Sequence, residues 1–156
     1  MTIYGLQFDT TGGLPFTPAL QAFYVNGDYA TPPRYGPGRV YIDVLGTAPR
    51  GAFWLDVERG DATPAAVPGW LDARQEAGLG AGGIYCNRSS YPDVVQAADG
   101  RPFSLWLATL DGTVDVVVTP PNVSLVAVQA FPAAMVGPNA DVSVVVNEAY
   151  WTGRAA

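Results

Sequence analysis

The chain has 156 residues, 49 % of them hydrophobic and 14 % charged, which suits one compact domain burying about 70 % of its unfolded surface and excludes a chain kept disordered by charge. Its eight basic residues are all Arg and its net charge is −6, so the clustered positive charge that nucleic-acid binding depends on is missing. The lack of His and the single Cys86 exclude Ser-His-Asp and Cys-His catalysis, His-containing zinc sites, CxxC clusters and internal disulfides, and leave carboxylates, with Tyr and Arg in support, as the route to any enzyme.

Short apolar runs separated by Gly and Pro recur along the whole length, and 18 Gly with 14 Pro punctuate them too often for long helices. Residues 1–10 have neither the basic start nor the apolar stretch of a secretion signal, and no run approaches the roughly 20 apolar residues that cross a bilayer. Strands are expected at 3–9, 22–26, 39–45 and 52–58, with a short helix at 17–21; the strand segments are rich in the Val, Tyr, Phe and Trp that pleated surfaces prefer. An amphipathic helix follows. Thr63 can cap it, Pro64 takes its first position, and Val67, Trp70, Leu71 and Arg74 recur at helical spacing up to Gly78.

Beyond it, strands are expected at 83–87, 103–110, 114–118, 124–130 and 141–146, with a second helix over 91–98 stopped by Gly100. Asp111-Gly112, between two strand-like runs, predicts a β-hairpin and hence an antiparallel pair. Residues 34–38, Pro120-Pro121 and Gly137-Pro138 read as loops, and no shift of composition marks a linker, so 1–156 is one domain. An ordinary (β/α)8 barrel takes about 250 residues. The expectation is therefore an α/β, compact and helix-poor TIM-like (β/α)8 barrel; the alternative is a mixed β-sheet domain with one or two covering helices.

The most informative stretch is Phe53-Trp54-Leu55-Asp56-Val57-Glu58, where period-2 alternation puts Trp54, Asp56 and Glu58 on one face. Carboxyl groups two residues apart on a strand can approach within about 5 to 7 Å, where glycosidases hold an acid and its partner and where mutual repulsion raises one pKa. The plainer reading is a solvated strand end beside Arg59. Asp9, Asp43 and Asp141 are expected to join Asp56 and Glu58 at one barrel mouth; with no ordered calcium loop, neither a metal nor another cofactor is implied. Trp54 and Trp106, adjacent in alternation to polar residues, suit a cleft, whereas Trp70 suits helix packing. Tyr24, Tyr29, Tyr35 and Tyr41 either cover the barrel or form a binding surface. Cys86 reads as a buried small residue and Arg59-Gly60-Asp61 as the turn into the helix, while the valines of 114–118 suit an edge strand able to pair with a neighbouring subunit.

Leu55-Asp56-Val57-Glu58-Arg59-Gly60-Asp61-Ala62-Thr63-Pro64, then Pro68-Gly69-Trp70 and Gly83-Ile84-Tyr85-Cys86-Asn87-Arg88-Ser89, resembles actinobacterial and actinophage relatives of glycoside hydrolase family 25, which are lysozyme-like barrels. The resemblance continues through Leu105-Trp106-Leu107-Ala108, Val126-Ala127-Val128-Gln129 and Ala140-Asp141-Val142, and covers 52–146 better than the first fifty residues. The use of Arg without Lys, with abundant Ala, Gly, Pro and Val, fits the GC-rich coding of such a source. The resemblance implies muramidase-type cleavage of peptidoglycan. Glu58 would be the general acid, Asp56 would stabilise the reacting acetamido sugar or the charge developing at its anomeric carbon, Asp141 would line the site, and Tyr85, Trp106 and Gln129, with Trp54, would hold the sugar.

At the front the pattern departs. The family expects Asp two positions after the Gly of its first strand, and Gly5-Leu6-Gln7-Phe8-Asp9 has Gln7 there, with Asp9 on the same face but about 7 Å further along. The implied partner is cell-wall glycan, with no nucleic acid and no membrane. The alternative is a catalytically inactive barrel serving as a phage virion structural or decoration protein, or as a wall-binding module, in contact with other phage particle proteins. Without a leader, such a protein would reside in the host cytoplasm before release or in the virion.

Overall fold

The computed structural model describes residues 1–10, 14, 16–31, 36–114, 117–132 and 140–155. Eight strands close into a barrel in chain order: β1 Gly5–Thr10, β2 Leu20–Tyr24, β3 Arg39–Asp43, β4 Trp54–Val57, β5 Gly83–Asn87, β6 Phe103–Ala108, β7 Val123–Phe131 and β8 Ala140–Val145. From β1 to β7 each strand pairs parallel with the next, whereas β8 runs antiparallel to both β7 and β1.

The expectation of a helix-poor α/β barrel agrees with this, but its TIM-like (β/α)8 form does not. The strands are mixed, and among the described residues only three short helices occur: α1 Val67–Glu76, α2 Tyr91–Ala98 and α3 Glu148–Ala155. A parallel pair obliges the chain to return to its starting end, usually by a helix. Here α1 makes that return between β4 and β5 and α2 between β5 and β6, and no helix is described in the other parallel connections, whose sequences are rich in Gly and Pro. The alternative of a mixed sheet is met in its mixed pairing, although the sheet closes on itself.

Alternation along each strand divides the apolar residues between two cores. Leu20, Ala22, Val40, Ile42, Trp54, Trp106, Ala127 and Val145 fill the barrel interior. Outside it, Val67, Trp70 and Leu71 of α1 and Val94 and Ala98 of α2 cover Leu55, Val57, Ile84, Leu105 and Leu107. Val67, Trp70, Leu71 and Arg74 are the buried face of α1, at the spacing the sequence shows. Thr63 stands ahead of a single 3-10 turn, Pro64–Ala66, that leads into α1, but its hydroxyl makes no capping bond.

Asp111-Gly112 closes no hairpin, because β6 and β7 are parallel. The Asp111 carboxylate instead accepts from the Thr113 N–H and hydroxyl, with Leu110 and Gly112 both at positive φ, and folds a local turn within the return loop. The helix expected at 17–21 gives way to β2, whose pairing with β1 and β3 outweighs weak local helix propensity. Of the strand expected at 114–118, residues 115 and 116 lie outside the described residues, and the remainder is not strand. Tyr35 and the Gly137-Pro138 loop also lie outside them. The helix α3 was not anticipated; Asn147 starts it by accepting the Tyr150 N–H on its side-chain oxygen.

Candidate active site

At the C-terminal ends of the parallel strands lies a cavity of about 330 Å³, within the size range of small-ligand pockets. Its carboxylates are Asp9, Asp28, Asp56, Glu58, Asp61 and Asp141, joined by Tyr24, Tyr29 and Tyr85, and no arginine lines it among the described residues. Asp56 and Glu58 project from β4 and its end, and Tyr85 stands beside Asp56 in the register of β4 with β5. Asp9, near the end of β1, faces Asp141 at the start of β8 because those strands are antiparallel.

Asp9 is 7 % exposed and Asp56 5 % exposed, and Oδ1 of each is buried without a hydrogen-bond partner. The other oxygen of Asp9, Oδ2, accepts from the Tyr24 hydroxyl at 2.6 Å. Burial pushes the Asp9 carboxyl up to about 7; the Tyr24 hydrogen bond opposes the rise, and the charges of Asp141 and Glu58 add to it. Burial also holds Asp56 well above the usual carboxylate range, with Glu58, Asp61 and Asp9 contributing repulsion. Glu58, half-buried, is raised by burial and by Asp61, while hydrogen bonds from Asn87 and Tyr85 pull it back. Asn87 is fixed for that role because its Oδ1 already accepts from the Ser90 N–H and the Ser89 hydroxyl. Such a cluster holds protons at a pH where free carboxylates have lost them, the condition for a carboxyl to act as a general acid.

The structure brings Asp9, Asp56, Glu58, Asp141 and Tyr85 to the cavity, and places Trp54, Trp106 and Gln129 below it. Trp54 and Trp106 are fully buried, and with Tyr85 they stack edge to face up the barrel interior, at 5.4 Å and then 4.9 Å between ring centroids. Trp54 Nε1 donates to the Tyr150 hydroxyl and Trp106 Nε1 to Ser143 Oγ. They support Tyr85 from beneath and cannot touch a ligand at the mouth. Gln7 is in the same deep layer, its Oε1 accepting from the Tyr150 hydroxyl, so the carboxylate of β1 that reaches the cavity is Asp9.

Asp43 is also not at the mouth. It points out of the barrel, where its oxygens accept from Asn26 Nδ2, from the backbone N–H groups of Leu45, Gly46, Thr47 and Ala48, and from the indole of Trp70. Among the described residues no group of three metal-ligating side chains is placed to hold an ion. Arg59 is exposed and does not line the cavity, so Asp56 and Glu58 are not sealed by it. The turn at Arg59-Gly60-Asp61 is as expected: the Asp61 N–H donates to the Glu58 carbonyl, with Gly60 at positive φ.

Sequence reasoning left Asn87, Asp28 and Asp61 without a role at the mouth, and left open whether Tyr24 and Tyr29 cover the barrel or form a binding surface; both line the cavity. Tyr29, 60 % exposed and 5.9 Å from the Tyr24 ring, is the accessible aromatic surface at the rim. The tyrosine cluster on the chain was the available signal, but only the fold shows which of its members reach the cavity. Comparison with family models, curated proteins and solved structures finds no match to this chain.

Proposed function

We propose that the cavity is the active site of a lysozyme-like glycoside hydrolase directed at bacterial cell-wall peptidoglycan, of the family 25 type that the motifs around Asp56 and Glu58 resemble. The observation that carries the reading is the convergence of Asp9, Asp56, Glu58 and Asp141, all with a common outlet, on a cavity with an exposed tyrosine at its rim. In this reading the Glu58 carboxyl gives its proton to the glycosidic oxygen as the bond to the anomeric carbon of N-acetylmuramic acid breaks. Asp56 stabilises the positive charge that develops there, directly or through the acetamido group, and water adds to the anomeric carbon while its proton returns to Glu58. Tyr29 and Tyr24 take the stacking role first expected of the two tryptophans.

The alternative, a catalytically silent barrel that binds wall glycan or decorates a phage particle, is favoured by one feature: Gln7 occupies the position where the family has an Asp. One assay separates them. Purified protein is incubated with actinobacterial peptidoglycan and the release of reducing ends is measured beside Glu58→Gln. Release by the wild type and a loss of about 100-fold or more in the variant support the hydrolase; equal silence of both, with glycan binding intact, overturns it in favour of the binding module.

A further inference from the structure

At the opposite end of the barrel is a second cavity, of about 350 Å³, whose chemistry is the reverse of the first. Phe53 at the entry to β4, Ser104 on β6, Ser124 on β7, and Asn147, Tyr150 and Arg154 around α3 line it. The Arg154 guanidinium lies over the Phe53 ring at 4.1 Å, and that of Arg74 is 5.5 Å from the same ring. Arg74 is committed elsewhere, donating to the carbonyls of Pro49 and Ala52, whereas Arg154 is held by the ring and by its own backbone, whose carbonyl accepts the Gly38 N–H. Among the described residues neither arginine forms an ion pair and no carboxylate lines this cavity.

In a chain of net charge −6, two guanidinium groups flanking one ring, with no acidic partner among the described residues, make a local positive field that those residues do not neutralise. A planar guanidinium fixed by an aromatic face keeps its N–H fork in position for a planar or tetrahedral oxyanion, with less side-chain freedom to lose on binding. Neutral donors stand around it. The Ser104 and Ser124 hydroxyls share the cavity, and Asn147, whose oxygen is taken by the Tyr150 N–H, retains its side-chain NH2.

We propose that this basal cavity is a binding site for a small oxyanion, a phosphate or a carboxylate, held by Arg154 with the Ser104 and Ser124 hydroxyls and the Asn147 amide. It is separate from the carboxylate cavity and does not depend on the reading of that site.

The test is a titration of the full chain with inorganic phosphate and, separately, with acetate, ionic strength being held constant with sodium chloride. Binding is followed by the NMR signals of the Arg154 side-chain N–H and of the Trp54 indole N–H, which donates to Tyr150 in the cavity wall. A saturable shift with one or both anions, and not with chloride, is expected; which anion saturates identifies the phosphate or carboxylate source. Arg154→Gln, which keeps a polar, hydrogen-bonding side chain but loses the charge and the guanidinium fork, should weaken binding about tenfold or more. Ser124→Glu adds a carboxylate at an exposed rim position, where it leaves the core intact, and should abolish the shift. Absence of saturation with both anions, or unchanged titration in either variant, would overturn the proposal.

Discussion

Replacing Asp9 by Asn isolates the electrostatics of the carboxylate mouth. In the folded protein burial holds this carboxyl up to about 7, against 3.8 for the free group. Between those two values the folded state binds more protons than the unfolded chain, so stability falls as pH rises through the window; the proton-linked stabilisation is complete below about pH 4 and gone above about pH 7. At about 1.4 kcal/mol for each pKa unit of separation, the gap amounts to on the order of 4 kcal/mol for this one group. Asn retains an oxygen to accept from the Tyr24 hydroxyl and cannot ionise. Urea unfolding of wild type and Asp9→Asn, followed across the span from about pH 4 to about pH 8, should show the wild type losing several kcal/mol and the variant losing about 4 kcal/mol less, so that at the alkaline end the variant is the more stable. Asp56 and Glu58, raised by the same burial, leave a residual slope of the same sign. Equal slopes in the two proteins, or wild-type stability that rises from about pH 4 to about pH 7, would refute this account of the mouth.

Three further outcomes follow from the same geometry. Tyr24→Phe removes the hydroxyl that donates to Asp9 Oδ2, so the Asp9 titration midpoint, read from its carboxyl carbon by NMR, should move upward from that of the wild type. Asp43→Ala leaves four backbone N–H groups and the Trp70 indole without their acceptor and should cost about 3–5 kcal/mol in urea unfolding, while Asp43→Asn, which keeps one carbonyl oxygen, costs less. Gly83→Ala would drive a methyl group into the Trp54 ring, itself pinned by Trp106 and Tyr150, and should cost about 1–3 kcal/mol in thermal unfolding; Gly69→Ala, on α1 facing open space, should instead add up to about 1 kcal/mol.

Strand positions were largely legible because each apolar run ends at Gly or Pro, and β5 matches its expected bounds, 83–87. Pairing direction was not, since period 2 is the same in a parallel and an antiparallel strand. For that reason Asp111-Gly112 read as a hairpin when the chain instead returns to the far end of the barrel. Alternation also assigned the correct face to Trp54, Asp56 and Glu58 but gave no depth. Two residues along a strand cover about 7 Å, enough to put Trp54 in the middle of the barrel and Asp56 at its mouth, and the same step separates Gln7 from Asp9. Asp43 shows a different failure. Its neighbours Val40 and Ile42 face inward, so parity sends Asp43 outward, to a network of backbone N–H groups that no residue spacing announces.

The antiparallel eighth strand is what completes the mouth. In an all-parallel barrel the first residues of the last strand would lie at the base, beside the starts of the other strands. Reversal of β8 brings Asp141, at its beginning, opposite Asp9, near the end of β1, and so adds a like charge to a carboxyl already raised by burial. The crowding carries a free-energy cost at neutral pH, which the fold offsets in other layers: Trp54, Tyr150 and Gln7 link hydrogen bonds across the interior, and Trp106 ties β6 to β8 through Ser143. A ligand that reaches the unpartnered oxygens of Asp9 and Asp56 with donors or positive charge relieves that repulsion, and its binding is thereby coupled to release of the protons that these raised carboxyls retain.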